Sequence, residues 1–291
     1  MQVVHVGVVG LGNMGLPMAS VLRRGGFDIS GCDLSEARRA AAVEAGIPLR
    51  SLEDLLARSD IIVSSLPLAR DVVGVLTGSS TLLSRRDRRV IVLDTSTADP
   101  TTSRQLAQTL AAAGHGHLDA PVSGGPAGAA AGTLTMMIGG DEADIAEARP
   151  VIDAVASKAI HVGPSGAGNV AKLINNMLVA AHMLSTGEAF RLAEAAGVSA
   201  DAVLQVVNAA TGRSAISEIH FPKWIMSNRF DSGFSAGLMR KDVGLAADLA
   251  AEFGMELPLS REVSRLWLED RTAVTDQEDF TLMSGYRPKP A

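Results

Sequence analysis

The 291-residue chain holds a single cysteine, Cys32, so it forms no internal disulfide. Nowhere does it carry the roughly 18 consecutive apolar residues that a membrane-spanning helix needs. Lysine and arginine total 26 against 32 acids, a formal charge of −6, which leaves no basic surplus for nucleic acid or an anionic membrane. Metal-ligand spacing is missing too. His5, His115, His117, His161, His182 and His220 are scattered, and no cysteine or carboxylate pattern completes a set around them, so no metal is expected. Both tryptophans, Trp224 and Trp267, fall on helical patterns, which suits core or interface packing better than a stacking platform. The first apolar run lacks a basic leader, so no secretory signal is read and a cytoplasmic protein is expected. What remains is an ordinary globular composition, 47% apolar and 20% charged, in a chain long enough for one or two domains.

The apolar run Val3–Val9 opens directly into Gly10-Leu11-Gly12-Asn13-Met14-Gly15, a G-x-G-x-x-G pattern followed by a helical segment from Leu16 to Leu22. A second apolar run, Phe27 to Cys32, ends in Asp33, eighteen residues after Gly15. Strand, glycine turn, helix and acid at this spacing form a dinucleotide-binding fingerprint. Gly10 allows the tight turn, Gly12 lets a pyrophosphate approach, and Gly15 lets the helix pack on the strand. The helix N-terminus faces the phosphates with unpaired N–H groups. Asp33 accepts hydrogen bonds from ribose hydroxyls and repels a 2′-phosphate, which favours NAD over NADP. Arg38 and Arg39, a turn further on, leave weak NADP use open.

Short apolar runs alternate with helical patterns up to about residue 163. Strands are expected at Val3–Val9, Phe27–Cys32, Ile61–Ser65, Val90–Leu93, Gly116–Asp119, Leu134–Ile138 and Ala159–Val162. This is the pattern of a doubly wound sheet with its ligand at the carboxyl ends of the strands. Helix starts are legible at Ser51, at Asp99-Pro100 and at Asp141. The cluster Arg85–Arg89 reads as a solvated loop, and Cys32 as a small buried hydrophobe. Beyond residue 163 there is no strand signal. Helical patterns run over Ala167–Ala196, Ala200–Ala210, Ser214–Ser227, Leu238–Phe253, Leu259–Arg271 and Gln277–Ser284. The fold expected is α/β, an N-terminal Rossmann domain over 1–163 followed by an all-helical domain over 164–291.

Three further segments carry chemistry. In Asp119-Ala120-Pro121-Val122-Ser123-Gly124-Gly125-Pro126, Ser123 offers a hydroxyl and the glycines leave N–H groups free to surround a carboxylate, although S-G-G by itself is most often a turn. In Gly166 to Asn176, Lys172 and Asn176 are four apart and share one face of an apolar helix. Burial there disfavours the charged ammonium and suits Lys172 to taking and returning a hydroxyl proton. An isolated K-x-x-x-N reads equally as a solvated helix face. The third segment is Leu238-Met239-Arg240-Lys241-Asp242-Val243, two cations ahead of an acid.

Taken together, Gly10–Ala19, Asp119–Gly125, Gly132-Thr133-Leu134, Gly166-Ala167-Gly168 with Lys172 and Asn175-Asn176, and Lys241-Asp242 resemble the β-hydroxyacid dehydrogenase family. The matches keep the family's order and spacing from residue 4 to about 271. The resemblance implies that Lys172 is the catalytic acid/base. It implies that Ser123, Gly124, Gly125 and Asn176 bind substrate, with Asn175 assisting. Besides Gly10, Gly12, Gly15 and Asp33, it implies that Leu11, Asn13, Met14, Leu66, Pro67, Thr97 and Lys241 line the cofactor. Asp33-Leu34-Ser35 stands where NADP-using members tend to carry Asn-Arg-Thr, again pointing to NAD. The expected reaction interconverts a small 3-hydroxy acid and its semialdehyde. The leaning is toward 3-hydroxyisobutyrate, with Phe234 as an apolar wall, and tartronate semialdehyde reduction is the alternative. Imine reduction and a non-catalytic cofactor-binding module are remoter readings, both of which usually dispense with the lysine. The family also implies a homodimer or homotetramer.

Overall fold

The computed structural model describes residues 4–78, 80–269 and 271–287. Val3, at the start of the expected first strand, and Asp270, inside the expected segment Leu259–Arg271, lie outside them. Contacts divide the chain into two compact units, Met1–Lys172 and Leu173–Ala291. The division falls inside a helix rather than ahead of it, because the first turns of that helix are bonded to the sheet.

In the first unit, β1 (His5–Val9), β2 (Asp28–Cys32), β3 (Ile61–Ser64), β4 (Ile91–Asp94) and β5 (Gly116–Asp119) are parallel and ordered β2-β1-β3-β4-β5. The chain leaves β1 for β2 on one side and crosses to β3 on the other, so the switch point lies beside β1. The sheet does not continue parallel, as a purely doubly wound reading expects. After β5 come β6 (Val122–Ser123), β7 (Leu134–Gly139) and β8 (Ala156–Gly163), and β7 runs antiparallel to β5 and β6. β8 lies parallel to β7, with its Ile160 and Val162 exposed.

Alternation along the strands explains why the sheet needs helices on both faces. Ile61, Val63, Ile91 and Leu93 join one apolar cluster, with Met18, Leu22, Ile145 and Val151 from α1 (Gly15–Arg24) and α8 (Glu142–Val155). Ile62 and Val92 join another, with Leu55, Leu76 and Leu106 from α3 (Leu52–Arg58), α4 (Ala69–Thr77) and α6 (Pro100–Ala112). The remaining helices of this unit are α2 (Glu36–Glu44), α5 (Ser80–Ser84) and α7 (Gly125–Ala131). Helix starts follow the sequence signals: Ser51 accepts from the Asp54 N–H at 3.2 Å and Asp99 from the Thr102 N–H at 2.7 Å.

Two sequence expectations need correction. Arg85 is buried, and its guanidinium donates to the carbonyls of Leu56 (2.9 Å) and Ser59 (2.7 Å), while Arg89 pairs with the buried carboxylate of Asp144. Arg85 therefore closes the C-terminal end of α3, whose carbonyls would otherwise be left unsatisfied. Cys32 is half-buried rather than sealed in the core; burial still pushes its thiol upward, helped by the Asp33 charge.

α9 (Ala167–Ala195) begins in the first unit and ends in the second. The second unit adds α10 (Ala200–Ala209), a π-helical segment Ile216–Ile225, α11 (Ala236–Glu252), α12 (Pro258–Leu268) and a 3₁₀ segment Phe280–Gly285. The two segments Ser214–Ser227 and Gln277–Ser284 are thus helical in pattern but not regular α-helix. Trp267 is fully buried and donates its indole N–H to the Ala180 carbonyl at 3.2 Å, whereas Trp224 is only partly covered. Gly187 lets α9 approach the 3₁₀ segment so closely that an added Cβ would strike the Ser284 carbonyl. Overpacking of this kind costs about 1–3 kcal/mol, at least matching the ~1 kcal/mol that alanine gains over glycine inside a helix. Gly187→Ala is therefore expected to lower the urea midpoint of unfolding, although the same change in an exposed helix would raise it.

Candidate active site

Each ingredient of the fingerprint sits where its chemistry requires. Gly10 has φ +89°, and a Cβ there would meet the Ser65 carbonyl and the Leu66 side chain; one on Gly15 would strike the Gly10 carbonyl. These two positions admit only glycine. A Cβ on Gly12 would meet nothing within 4 Å, so its backbone is open for a pyrophosphate to approach. Asp33 accepts from the Leu11 N–H at 2.7 Å and the Ser35 N–H at 2.8 Å, one donor on each oxygen. Each oxygen keeps a lone pair, so the carboxylate locks the glycine turn to β2 and can still receive ribose hydroxyls. Arg39 is tied to the carbonyls of Asp33 and Leu34, and Arg38 donates to the Asn13 side chain at 3.0 Å. The residues present fit a nicotinamide dinucleotide.

The register sets a polar row along the carboxyl edge of the sheet. Ser64 on β3 pairs with Asp94 on β4, Asp94 with Asp119 on β5, and Asp119 with Gly139 on β7. Asp94 accepts from the Ser64 hydroxyl (2.8 Å) and the Ser96 N–H (3.1 Å), and Ser96 in turn accepts from the Leu66 N–H (2.9 Å). The loops carrying Leu66-Pro67 and Thr97 are thereby joined. Burial drives the Asp94 carboxyl up to about 6, against the pull of its Ser96 and Ser64 donors.

Asp119 is fully buried and accepts from the backbone N–H groups of Gly166 (2.7 Å) and Asn169 (2.9 Å), holding the N-terminus of α9. Burial raises its carboxyl and those donors oppose the rise. The side chain of Asn169 then accepts from the Ala98 N–H (3.0 Å) and donates to Ser103 (3.0 Å), joining the Thr97 loop to α9. Lys172 follows one turn later and is 8% exposed. Ser123 ends β6, and Gly124 (φ +128°) and Gly125 (φ +62°) turn directly into α7, a helix not among those expected from the sequence.

In the second unit Asn176, buried one turn after Lys172, receives a hydrogen bond from the Asn175 amide (3.0 Å) and donates its own to Asp242 (2.5 Å). Lys241 Nζ lies 3.2 Å from the other Asp242 oxygen. Asp242 therefore joins Asn176 and Lys241 in one network. Asp94, Asp119 and Asp242 were missed as site residues. For Asp94 the signal was available: it ends the continuous apolar run Val90–Leu93.

Comparison with known proteins agrees with this geometry. Residues 5–163 match the family described as the NAD binding domain of 6-phosphogluconate dehydrogenase. Residues 166–286 match the NAD-binding domain of NADP-dependent 3-hydroxyisobutyrate dehydrogenase. The chain is 37% identical to an NAD-dependent L-serine dehydrogenase of Pseudomonas aeruginosa, over 96% of each protein. It is 35% identical to the 2-(hydroxymethyl)glutarate dehydrogenase of Eubacterium barkeri, over 96% of this chain and 93% of that one. A solved 3-hydroxyisobutyrate dehydrogenase of Mycobacterium tuberculosis with L-serine superposes with a TM-score of 0.88 at 34% identity, covering 97% of this chain and 98% of that one. The chain belongs to the β-hydroxyacid dehydrogenase family. Within it, the chain is an oxidoreductase that uses NAD.

Asp33→Ala removes at once an acceptor, a repulsive charge and the tie to Leu11. Weaker NAD binding and a smaller preference over NADP are expected from calorimetric titration of both dinucleotides. A wild-type enzyme that prefers NADP contradicts this account.

Proposed function

We propose that this enzyme interconverts a 3-hydroxy acid and its semialdehyde, with Lys172 as general acid/base. The observation that carries the reading is a lysine 8% exposed on a helix whose start is fixed by a buried carboxylate. The named relatives act on 3-hydroxyisobutyrate, L-serine and 2-(hydroxymethyl)glutarate. These share one skeleton, HOCH₂–CHR–COO⁻, and differ in R. The common part is the recognition element we assign here, and a methyl R makes 3-hydroxyisobutyrate the leading substrate. Tartronate semialdehyde reduction, where R is hydroxyl, is the second reading. Imine reductases of 17–21% identity share the fold alone, and Lys172 favours the hydroxy acid.

In this reading Ser123 and the backbone N–H groups of Gly124 and Gly125 hold the carboxylate. Asn176, assisted by Asn175 and oriented by Asp242, holds the reacting oxygen. Bound NAD supplies the hydride acceptor. Lys172 takes the hydroxyl proton as the carbon is oxidised and returns it in reduction. Gly10 to Gly15, Asp33, Leu66, Pro67, Thr97 and Lys241 hold the cofactor. Residues 1–163 serve as the NAD-binding domain and 164–291 as the substrate and oligomerisation domain. No helix among the described residues is long and apolar enough to cross a membrane, and we assign the enzyme to the cytoplasm. Exposed Ile174, Leu178, Phe253 and Leu259 on the helical unit support a homodimer or homotetramer, which light scattering checks.

Lys172→Ala is expected to cut turnover by roughly 10²- to 10⁴-fold while NAD affinity stays near wild type. Lys172→Arg does not rescue, because a guanidinium stays charged at any working pH. Assaying HOCH₂–CHR–COO⁻ compounds with R as methyl, amino, hydroxyl and carboxyethyl selects the substrate. An alanine variant with wild-type turnover ends the assignment of Lys172.

A further inference from the structure

Asp94 has no place in the proton chemistry above, yet its surroundings are built around it. It is 2% exposed at the carboxyl end of β4. Its carboxylate collects the hydroxyl of Ser64 from β3 and both the N–H and the hydroxyl of Ser96 from its own loop. Ser96 relays the connection, because its oxygen also accepts the Leu66 N–H from the loop that follows β3. A second link runs beside it, from Thr95 N–H and hydroxyl to the Ser64 carbonyl at 2.9 and 2.7 Å. Leu66 lies against Gly10 of the glycine turn, so three strand ends meet at this point.

We propose that Asp94 is a positioning residue that holds the Ser65–Pro67 and Thr95–Thr97 loops in the arrangement that receives NAD. The inference rests on the reading that these loops touch the cofactor. Ionised, Asp94 is an acceptor with charge-assisted bonds to Ser64 and Ser96. Protonated, it must place a proton of its own among those donors, and the relay to Leu66 slackens. The charge of Asp119, its register partner on β5, opposes ionisation, and from β3 comes the Ser64 hydroxyl. With the carboxyl titrating at about 6 in this setting, cofactor affinity falls as pH drops through that value. One unit below it about a tenth of the molecules hold the ionised form, so affinity falls by up to about tenfold.

The test is calorimetric titration of NAD⁺ into the intact enzyme from pH 5 to pH 8, with kcat measured at saturating NAD⁺. For Asp94→Asn we expect Kd raised by about tenfold at pH 8, a flattened pH dependence, and kcat within about twofold of wild type. Ser96→Ala keeps the buried carboxyl but removes both its Ser96 hydroxyl donor and the acceptor of the Leu66 N–H, and is expected to raise Kd severalfold. It decides the matter if Asp94→Asn does not fold. A Kd within twofold of wild type in both variants, or a wild-type pH dependence that survives in Asp94→Asn, overturns the proposal. Thr97→Ala and Leu66→Gly separate the two ideas. If neither changes Kd, the loops do not touch the cofactor and that reading fails. If they weaken binding while the Asp94 and Ser96 variants do not, the role of Asp94 alone is refuted.

Discussion

Everything proposed for catalysis depends on the carboxylate of Asp119. It is fully buried, an arrangement that costs free energy unless donors replace the lost water. The replacements are the N–H groups of Gly166 and Asn169, two of the donors that a helix start leaves without partners. One residue thus satisfies the start of α9 and fixes its rotation about its own axis. A helix pinned at Asn169 has no freedom over where Lys172 points three residues later. Because Asp119 also opens the segment that ends in Ser123-Gly124-Gly125, the assigned base and the assigned carboxylate cradle issue from the same strand end.

The neighbouring strand repeats the arrangement with a different outcome. Asp94 binds side chains and loop backbone rather than a helix, and it sits next to Asp119 in register. Two buried acids side by side disfavour each other's ionisation, which is part of why Asp94 holds its proton up to about 6. Such strain is characteristic of the ligand-bearing edge of a sheet, where polar groups displace the apolar residues that a stable core prefers. In the second unit the Asn176–Asp242–Lys241 network does the same on a helical scaffold.

Much of this was legible before any coordinates. Gly10, Gly12, Gly15 and Asp33 follow from a local rule, since one strand, one turn and one helix lie within 33 residues. Ser51 and Asp99 were readable for the same reason: a helix cap reaches three residues. Illegible features needed partners far along the chain. Arg85 looked solvated because the carbonyls it caps, at Leu56 and Ser59, lie 29 and 26 residues away. α7 was missed because Gly125-Pro126 is a turn signal in most settings, and the antiparallel entry of β7 leaves no trace in local periodicity.

The sequence by itself determined the alternation of strands and helices up to about residue 163, the glycine turn with its acid, and the change to helices alone beyond it. These depend on spacing along one chain, which periodicity and backbone stereochemistry read directly. Only the tertiary structure decided which acids are buried side by side, which carbonyls the arginines serve, and that Asp242 answers Asn176 across 66 residues. The physical reason is desolvation. A carboxylate's role depends on which donors surround it once water is gone, and that is settled by packing between elements, not within them.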